Sequence, residues 1–409
     1  MKTVIILGDG MSDHPVAALG GKTPLMVARK PAIDRLAREG VTGRFASIPE
    51  GMVNGSDVAN LSVLGYDPRV CLQGRGVLEA ASMGIDLDPQ DVAMRCNLLT
   101  LNPDDTIKNH SAGHISNEEA AILIHDLDRA LGGGQGPRPA VFHAGVSYRH
   151  LLVLPGGWAS AEVDCFPPHD HVGTAEIELL PRAASPMGEA TATRLRELHA
   201  RAKEILADHP VNRSRIAGGK DPANSIWVWS PGRRPQMEPL TTRFGITGAV
   251  ISAVDLIRGI GKYAGLDRIL VEGATGLSDT NYEGKAQAAL EALETRDFVF
   301  VHVEATDEAG HARDLELKIK CIEYLDDRLV RPILEGIRAK GWDATIAVLP
   351  DHPTPVETGN HADDPVPVAI WRTGRAADAS QCYDEDEVAK GSLGLLKKDE
   401  FIQALFARS

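Results

Sequence analysis

The sequence predicts an α/β fold: a mostly parallel sheet sandwiched by helices, interrupted by an inserted smaller α+β domain. Three observations carry this. Short apolar runs, "KTVIILG" at 2–8, "FVFVHV" at 298–303 and "TIAVL" at 345–349, read as fully buried strands. Helix-periodic segments lie between such runs, and strands that alternate with helices form parallel sheets covered on both faces. The composition changes between residues 95 and 235, where Gly/Pro-rich segments gather: "LGGGQGPRP" (131–139), "PGGW" (155–158) and "PPHDHVG" (167–173).

In chain order, the first strand runs into Asp9, flanked by Gly8 and Gly10. "TPLMVARKPAIDRLAREG" (23–40) has helical spacing at Leu25, Ala28, Ile33 and Leu36 and a stop at Gly40, so it reads as a helix. "EGMVNGSDVANLSVLGYDP" (50–68) turns at Asn54-Gly55, and Ser56 then opens an apolar-periodic segment. The strand at 298–303 leads to Asp307. The segment 315–341 reads as a long amphipathic helix with Leu317, Ile319, Ile322, Leu325 and Leu329 inward. The strand at 345–349 leads to Asp351-His352. Strands of one kind therefore come from both ends of the chain. They place 1–95 and 236–409 in one discontinuous domain and 96–235 in the insert.

With 409 residues the chain can bury a large core in two domains. Its 43% hydrophobic and 24% charged residues are those of a soluble globular protein. A net charge of −14 argues against general binding to nucleic acid or to membranes. A local metal or Arg cluster can still receive a small anionic substrate. Cys71, Cys96, Cys165, Cys321 and Cys382 are scattered with no CxxC, as expected of reduced thiols in a cytoplasmic protein. The opening "MKTVIILGDG" does not have the pattern of a signal peptide, and no apolar run reaches membrane-spanning length. Monomer and homo-oligomer both remain open.

In parallel sheets the chemistry gathers at the C-terminal strand ends. Asp9, Asp307 and Asp351 lie there, accompanied by His311, His352 and His361. Singly, each has an ordinary explanation: Asp caps helices and His serves as a hydrogen-bonding residue. Together they are hard oxygen and imidazole ligands without thiolates, a set that suits Mn²⁺ or Zn²⁺ better than Ca²⁺. Their number suggests two ions, and two ions about 4 Å apart can clamp the attacking and leaving oxygens of a phosphoryl transfer. Ser56 could be a plain N-cap. It could equally place its hydroxyl where helix N–H groups and a dication favour phosphate attack. Lys285, in "EGATGLSDTNYEGKA" (272–286), is either a surface lysine or a neutraliser of phosphate charge. The insert adds His114 in "NHSAGHIS", Arg149 in "SYRHLLV", His169 and Asp170 in "PPHD", and Arg215 and Arg233 further on. Arginine binds phosphate and carboxylate bidentately, though any one of these could instead belong to a solvated face.

The motifs "ILGDGMSD", "GSDVANLSVLGYDP", "GRGVLEAASMGI", "SAGHIS", "PANSIW", "GATG…DTNYEGKA", "DEAGH" and "PDHPTP…H" span almost the whole chain. Through them it resembles the alkaline phosphatase superfamily and, within it, the cofactor-independent phosphoglycerate mutases of the archaeal type. The resemblance implies an alkaline-phosphatase-like fold and two divalent ions, Mn²⁺ ahead of Zn²⁺, Co²⁺ or Mg²⁺. It implies Asp9, Ser56, Asp351 and His352 on one ion and Asp307, His311 and His361 on the other. Ser56 becomes the nucleophile that forms phosphoserine, and Lys285 assists at the phosphate. His114, Arg149, Asp170, Arg215 and Arg233 attend to the glycerate side, with His114 and Asp170 counted as catalytic. The implied activity is interconversion of 3-phosphoglycerate and 2-phosphoglycerate, in glycolysis and gluconeogenesis, without 2,3-bisphosphoglycerate. Closure of the insert over the metals would keep water from turning the enzyme into a phosphatase. The alternatives are a metal-dependent phosphatase or another phosphomutase of the same superfamily, and a non-catalytic metal-binding protein. The last predicts a missing ligand or nucleophile, whereas each expected one is present. No GxxxxGK[ST] or kinase-type glycine loop occurs, which argues against ATP as a substrate.

Overall fold

Strand β1 (Lys2–Gly8) is buried along nearly its whole length and pairs in parallel with β12 (Phe298–Val303) on one side and β13 (Ala344–Leu349) on the other. Ile5 lies opposite Phe300 and Ala347. A strand flanked in this way and covered on both faces needs a continuous apolar sequence, which all three runs have. In the computed structural model, which describes residues 1–133 and 136–407, these strands are the centre of an eight-stranded sheet. Its order is β11 (Asp267–Ile269), β10 (Gly248–Ile251), β12, β1, β13, β14 (Val366–Arg372), β2 (Val41–Ala46) and β15 (Gly394–Lys397). Every pairing is parallel except those of β14, which runs antiparallel to both neighbours. The chain has the mostly parallel α/β architecture that its sequence predicts.

Alternation along the strands feeds two cores. Val4, Ile6, Val299 and Val301 join Ile33, Leu36, Leu293, Ile322, Leu325 and Ile333 of the covering helices. Phe298 points the other way and meets Phe406 of the C-terminal helix at 5.4 Å, while Phe45 meets Phe401 at 5.5 Å. Each fully buried side chain of this size contributes about 1.5–3 kcal/mol.

Two helices differ from the sequence expectation. The segment 23–40 forms two helices, Pro24–Val27 and Pro31–Arg38. Lys30 precedes Pro31 and sits at φ −134°, ψ 58°, because the proline ring excludes helical geometry from the residue before it. The segment 315–341 is an α-helix (Leu315–Leu325), one π turn (Asp326–Val330) and a second α-helix (Arg331–Ala339). Ile322, Leu325 and Leu329 are fully buried, but Leu317 and Ile319 are only half-buried. Between them Lys318 is fully buried, with Nζ donating to Asp13 Oδ2 at 2.8 Å and to Ser12 O and Thr354 O.

At the π turn, buried Asp326 accepts the Ile33 N–H at 2.7 Å, and burial pushes its carboxyl up to about 6. A folded value above the unfolded one means that the native state holds the extra proton. That stabilisation is complete below about pH 4 and lost as pH rises through 6. Stability of the parent relative to Asp326→Asn is therefore expected to fall between pH 4 and pH 7. Urea midpoints of both proteins across that range check this; parallel pH profiles would refute it.

The chain divides into two units, Met1–Leu72 with Gln236–Ser409, and Gln73–Pro235. The second is built on a five-stranded sheet. β3 (Val92–Leu101) pairs antiparallel with β4 (Ile107–Asn109), β6 (Arg149–Leu154) and β9 (Ser225–Arg233), and β5 (Val141–His143) adds to β6. A small ribbon joins β7 (Val163–Asp164) to β8 (Arg182–Ala183). Helices Asn117–Leu131 and Glu189–Ala207 bury Leu123, Ile124, Leu127, Leu195 and Leu198 against Met94 and Leu152. The composition changes at 95, but the chain enters this unit at 73. The helix Arg75–Met83 belongs to it, since Gly76 lies so close to β3 that a Cβ there would come within 2.5 Å of Met94 Cα. Gly134 and Gln135, in the Gly/Pro-rich segment 131–139, lie outside the described residues. Among the described residues no helix is long and apolar enough to cross a membrane.

Candidate active site

The three central strands deliver their carboxylates side by side. Asp9 follows β1 and its N–H bonds Val303 O at 2.9 Å, Asp307 lies on the helix Ala305–His311 after β12, and Asp351 follows β13. Gly10 bends the chain here with φ +60°, and a Cβ on it would come within 2.5 Å of both Asp307 Oδ1 and Thr354 Oγ1. Only glycine fits.

The inner group is Asp9, Asp351 and His352, all buried, with candidate ligand atoms within 4.8 Å of one another. His352 Nε2 lies 3.6 Å from Asp9 Oδ1, 3.5 Å from Asp351 Oδ2 and 3.2 Å from Ser56 Oγ. Asp351 is held by Gly10 N, His352 N and Asn60 Nδ2 at 3.1, 2.9 and 2.9 Å. Burial, reinforced by the charges of Asp351 and Asp307, holds the Asp9 carboxyl well above the usual carboxylate range. Asp9 Oδ1 is buried with no hydrogen-bond partner among the described residues. A lone buried carboxylate oxygen is costly unless a cation receives it.

The outer group is Asp307, His311 and His361. His311 Nδ1 lies 2.8 Å from Gly359 O and His361 Nδ1 lies 3.1 Å from Asn54 O. Carbonyls only accept, so each Nδ1 carries a proton, and both Nε2 atoms turn inward, 2.9 Å apart. They lie 3.1 and 3.5 Å from the two Asp307 oxygens. Burial opposes the Asp307 charge, but bonds from His311, His361 and Thr354 hold its carboxyl well below the usual range. The same bond to Asp307 lifts His311 to about 9. Two imidazole nitrogens and a carboxylate turned toward one point, with both remote nitrogens anchored to backbone, form a candidate metal site. His361 stacks on His352 with ring centroids 3.9 Å apart, so the two groups adjoin.

Ser56 is the first residue of the helix Ser56–Val63, after extended Gly55. Asn60, one turn on, donates to Ser56 O at 2.8 Å as well as to Asp351, tying the helix start to the inner group. Lys285 is not a surface lysine. It is 1% exposed, donates to His302 O at 3.1 Å, and burial pushes its ammonium down to about 8. Three residues escape sequence inspection. His302 Nε2 lies 3.0 Å from Asp9 Oδ2, and burial pushes its imidazole down to about 4. Thr354 bridges Asp307 and His352, and Asn60 links Ser56 to Asp351. A lone His inside "FVFVHV" is the one visible signal.

A family model described as 2,3-bisphosphoglycerate-independent phosphoglycerate mutase matches residues 37–212. The protein of that name from Methanosarcina barkeri is 50% identical over 406 residues, covering 99% of each chain. The chain belongs to the 2,3-bisphosphoglycerate-independent phosphoglycerate mutase family. The family member from Methanopyrus kandleri is 41% identical over 96% of this chain and 93% of its own. Among solved structures, the PH0037 protein from Pyrococcus horikoshii superposes with a TM-score of 0.81 at 32% identity, covering 100% of this chain and 98% of that one. The cofactor-independent phosphoglycerate mutase from Thermoplasma acidophilum gives 0.72 at 30% identity, covering 99% of both.

The remaining candidates of this mutase-family chain lie in the second unit. His114 is exposed at φ +50°, with its ring 6.3 Å from Tyr148. Arg149 is exposed, its Cζ lying 4.5 Å from the Tyr148 ring. Asp170 lies 3.7 Å from His169 Nε2. These gather round His110, whose ring is 5.8 Å from Tyr148 and 6.1 Å from His169, and His169 is 5.4 Å from Trp229. Two candidates stand apart. Arg215 is 2% exposed, with its guanidinium committed to Glu119, Asp221 O and Ala112 O, so it holds the turn that carries His114. Arg233 donates to Ala159 O at 2.6 Å and pairs with Val92, whereas Arg149 pairs with Asn97. Five strand residues separate the two positions, roughly 17 Å.

Proposed function

We propose that the protein interconverts 3-phosphoglycerate and 2-phosphoglycerate through a phosphoserine on Ser56, independently of 2,3-bisphosphoglycerate, as a cytoplasmic enzyme of glycolysis and gluconeogenesis. The observation that supports this most is the meeting of two adjoining ligand groups with a serine hydroxyl on one of them. Asp9, Ser56, Asp351 and His352 would hold one divalent ion and Asp307, His311 and His361 a second. The mixed oxygen and imidazole donors favour Mn²⁺, with Zn²⁺, Co²⁺ and Mg²⁺ as substitutes. Bound there, the ions supply neutralisation of phosphate charge and a lower pKa for the serine hydroxyl.

The residues supply position. Ser56 Oγ attacks phosphorus, the bond from phosphorus to glycerate O3 breaks, and the proton lost by the serine ends on that O3. Glycerate then presents its 2-hydroxyl, which attacks the phosphoserine. The Ser56 oxygen leaves and regains a proton, and 2-phosphoglycerate departs. Each transfer needs in-line geometry more than covalent assistance. Lys285 contributes positive charge from behind His302 and Asp9. His114, Arg149 and Asp170 bind the glycerate moiety, with Arg215 supporting the turn of His114. Arg233, committed to Ala159 O, is the weakest of the substrate-binding set.

An enolase-coupled assay with 3-phosphoglycerate, run with and without Mn²⁺ and with free phosphate measured in parallel, tests this. Mn²⁺-dependent phosphoenolpyruvate formation with little free phosphate is expected, with no bisphosphoglycerate added. Free phosphate as the main product would make the protein a phosphatase, and an absolute requirement for 2,3-bisphosphoglycerate would refute the phosphoserine route.

A further inference from the structure

We infer that His302 is a positioning residue for Asp9, fixing which carboxylate oxygen is offered to a divalent ion; this rests on the metal-centre reading above. His302 is 1% exposed in β12, whose other residues are all apolar, and a polar side chain is tolerated there only if its nitrogens are satisfied. The directions of its bonds follow from its neighbours. Kept ionised by a bound cation, the Asp9 carboxylate accepts, so His302 Nε2, 3.0 Å from Asp9 Oδ2, carries the proton. Nδ1 is then an acceptor, and Ser252 Oγ lies 3.3 Å away to donate. Ser252 Oγ in turn accepts the Val254 N–H at 3.0 Å, which leaves its own proton free for Nδ1.

A directed relay therefore runs Val254 N–H, Ser252 O–H, His302 N–H, Asp9 Oδ2. It occupies one oxygen of Asp9 and leaves the other, Oδ1, without a hydrogen-bond partner among the described residues and 3.6 Å from His352 Nε2. The backbone is fixed as well. Lys285 Nζ donates to His302 O at 3.1 Å, and the Thr306 hydroxyl donates to Asp9 O. Without His302, Asp9 could rotate or offer both oxygens, and its geometry toward an ion would loosen. Groups that orient a ligand in this way are typically worth about 10–100-fold in metal affinity.

The test is a Mn²⁺ titration of full-length, chelator-stripped protein for the parent, His302→Leu, His302→Gln and Ser252→Ala, with melting of each metal-free protein as the control for folding. In His302→Leu one of two ions is expected to bind about 10–100-fold more weakly while the other is unchanged. His302→Gln, whose amide N–H can reach Asp9 Oδ2, is expected to recover most of the loss. A purely structural role would not distinguish a donor from an isosteric apolar group in this manner. Should His302→Leu fail to fold, Ser252→Ala carries the test: weaker binding of one ion supports the relay, and parental affinity overturns it. Tight uptake by the parent and by His302→Leu alike overturns this inference alone. No Mn²⁺ uptake by the parent overturns the metal-centre reading and this inference with it.

Discussion

Replacing Ser56 with alanine is expected to lower mutase turnover by at least about four orders of magnitude, or about 5.5 kcal/mol of transition-state stabilisation. The size follows from the proposed phosphoserine route, in which without the hydroxyl there is no acceptor for the phosphoryl group. The fold should be spared. Ser56 stands at a helix start where its Oγ lies 3.2 Å from His352, and the residues that bury this helix, Val58, Ala59 and Leu61, are untouched. The measurement is the enolase-coupled rate beside a thermal melt. Parental turnover in Ser56→Ala would remove Ser56 as nucleophile, and a collapsed melt would show that the serine carries more of the fold than its hydroxyl contact with His352 suggests. Brief exposure to labelled 3-phosphoglycerate should also label the parent and not the variant.

Removal of divalent ions is expected to be comparably severe, by about three orders of magnitude or more, because charge stabilisation by each ion is worth several kcal/mol. Added Mn²⁺ should restore turnover. Asp9 Oδ1, with no hydrogen-bond partner among the described residues, is the group that remains uncompensated in the absence of a cation. The same ions should raise the melting temperature, since a ligand at 100 times its Kd adds about 2.7 kcal/mol to stability. Full activity in metal-free protein would refute the two-ion reading. Recovery of the melt without recovery of rate would separate occupancy from catalysis.

Much of the site was legible because parallel sheets place chemistry at predictable points. Three apolar runs, each leading to an aspartate, were enough to assign Asp9, Asp307 and Asp351 to one edge, and β12, β1 and β13 are neighbours there. Less visible were residues whose role depends on direction. Asn60 and Thr354 are common polar residues in sequence, and only their contacts with Asp351, Asp307 and His352 set them apart. Lys285 and Lys318 look like solvated helix lysines, yet both are buried, because each has carbonyl or carboxylate acceptors waiting inside. Periodicity found the helical segments but not their interruptions. Pro31 breaks one by forbidding helical geometry at Lys30, and the π turn at Asp326 shifts the register of another. The second unit was hardest, because an arginine motif does not say whether its guanidinium faces substrate or, as in Arg215, binds its own chain.

The partners of β1 and β2 have a consequence for synthesis of the protein. Among the described residues β1 pairs only with strands that begin at Phe298 and Ala344, and β2 only with strands that begin at Val366 and Gly394. The first 72 residues leave the ribosome with no ladder partner yet made. At about 5–20 residues per second, roughly 20–70 s pass before β13 emerges. The unit Gln73–Pro235, by contrast, is one continuous stretch and has all its strand partners long before then. A nascent chain released before residue 352 thus carries the whole sequence of the second unit and an unpaired amino terminus, but neither candidate ligand group is complete, since His352 and His361 come late in the chain. Products truncated there lack a member of each candidate ion group, so on the proposed reading they have neither mutase turnover nor a stray phosphatase activity.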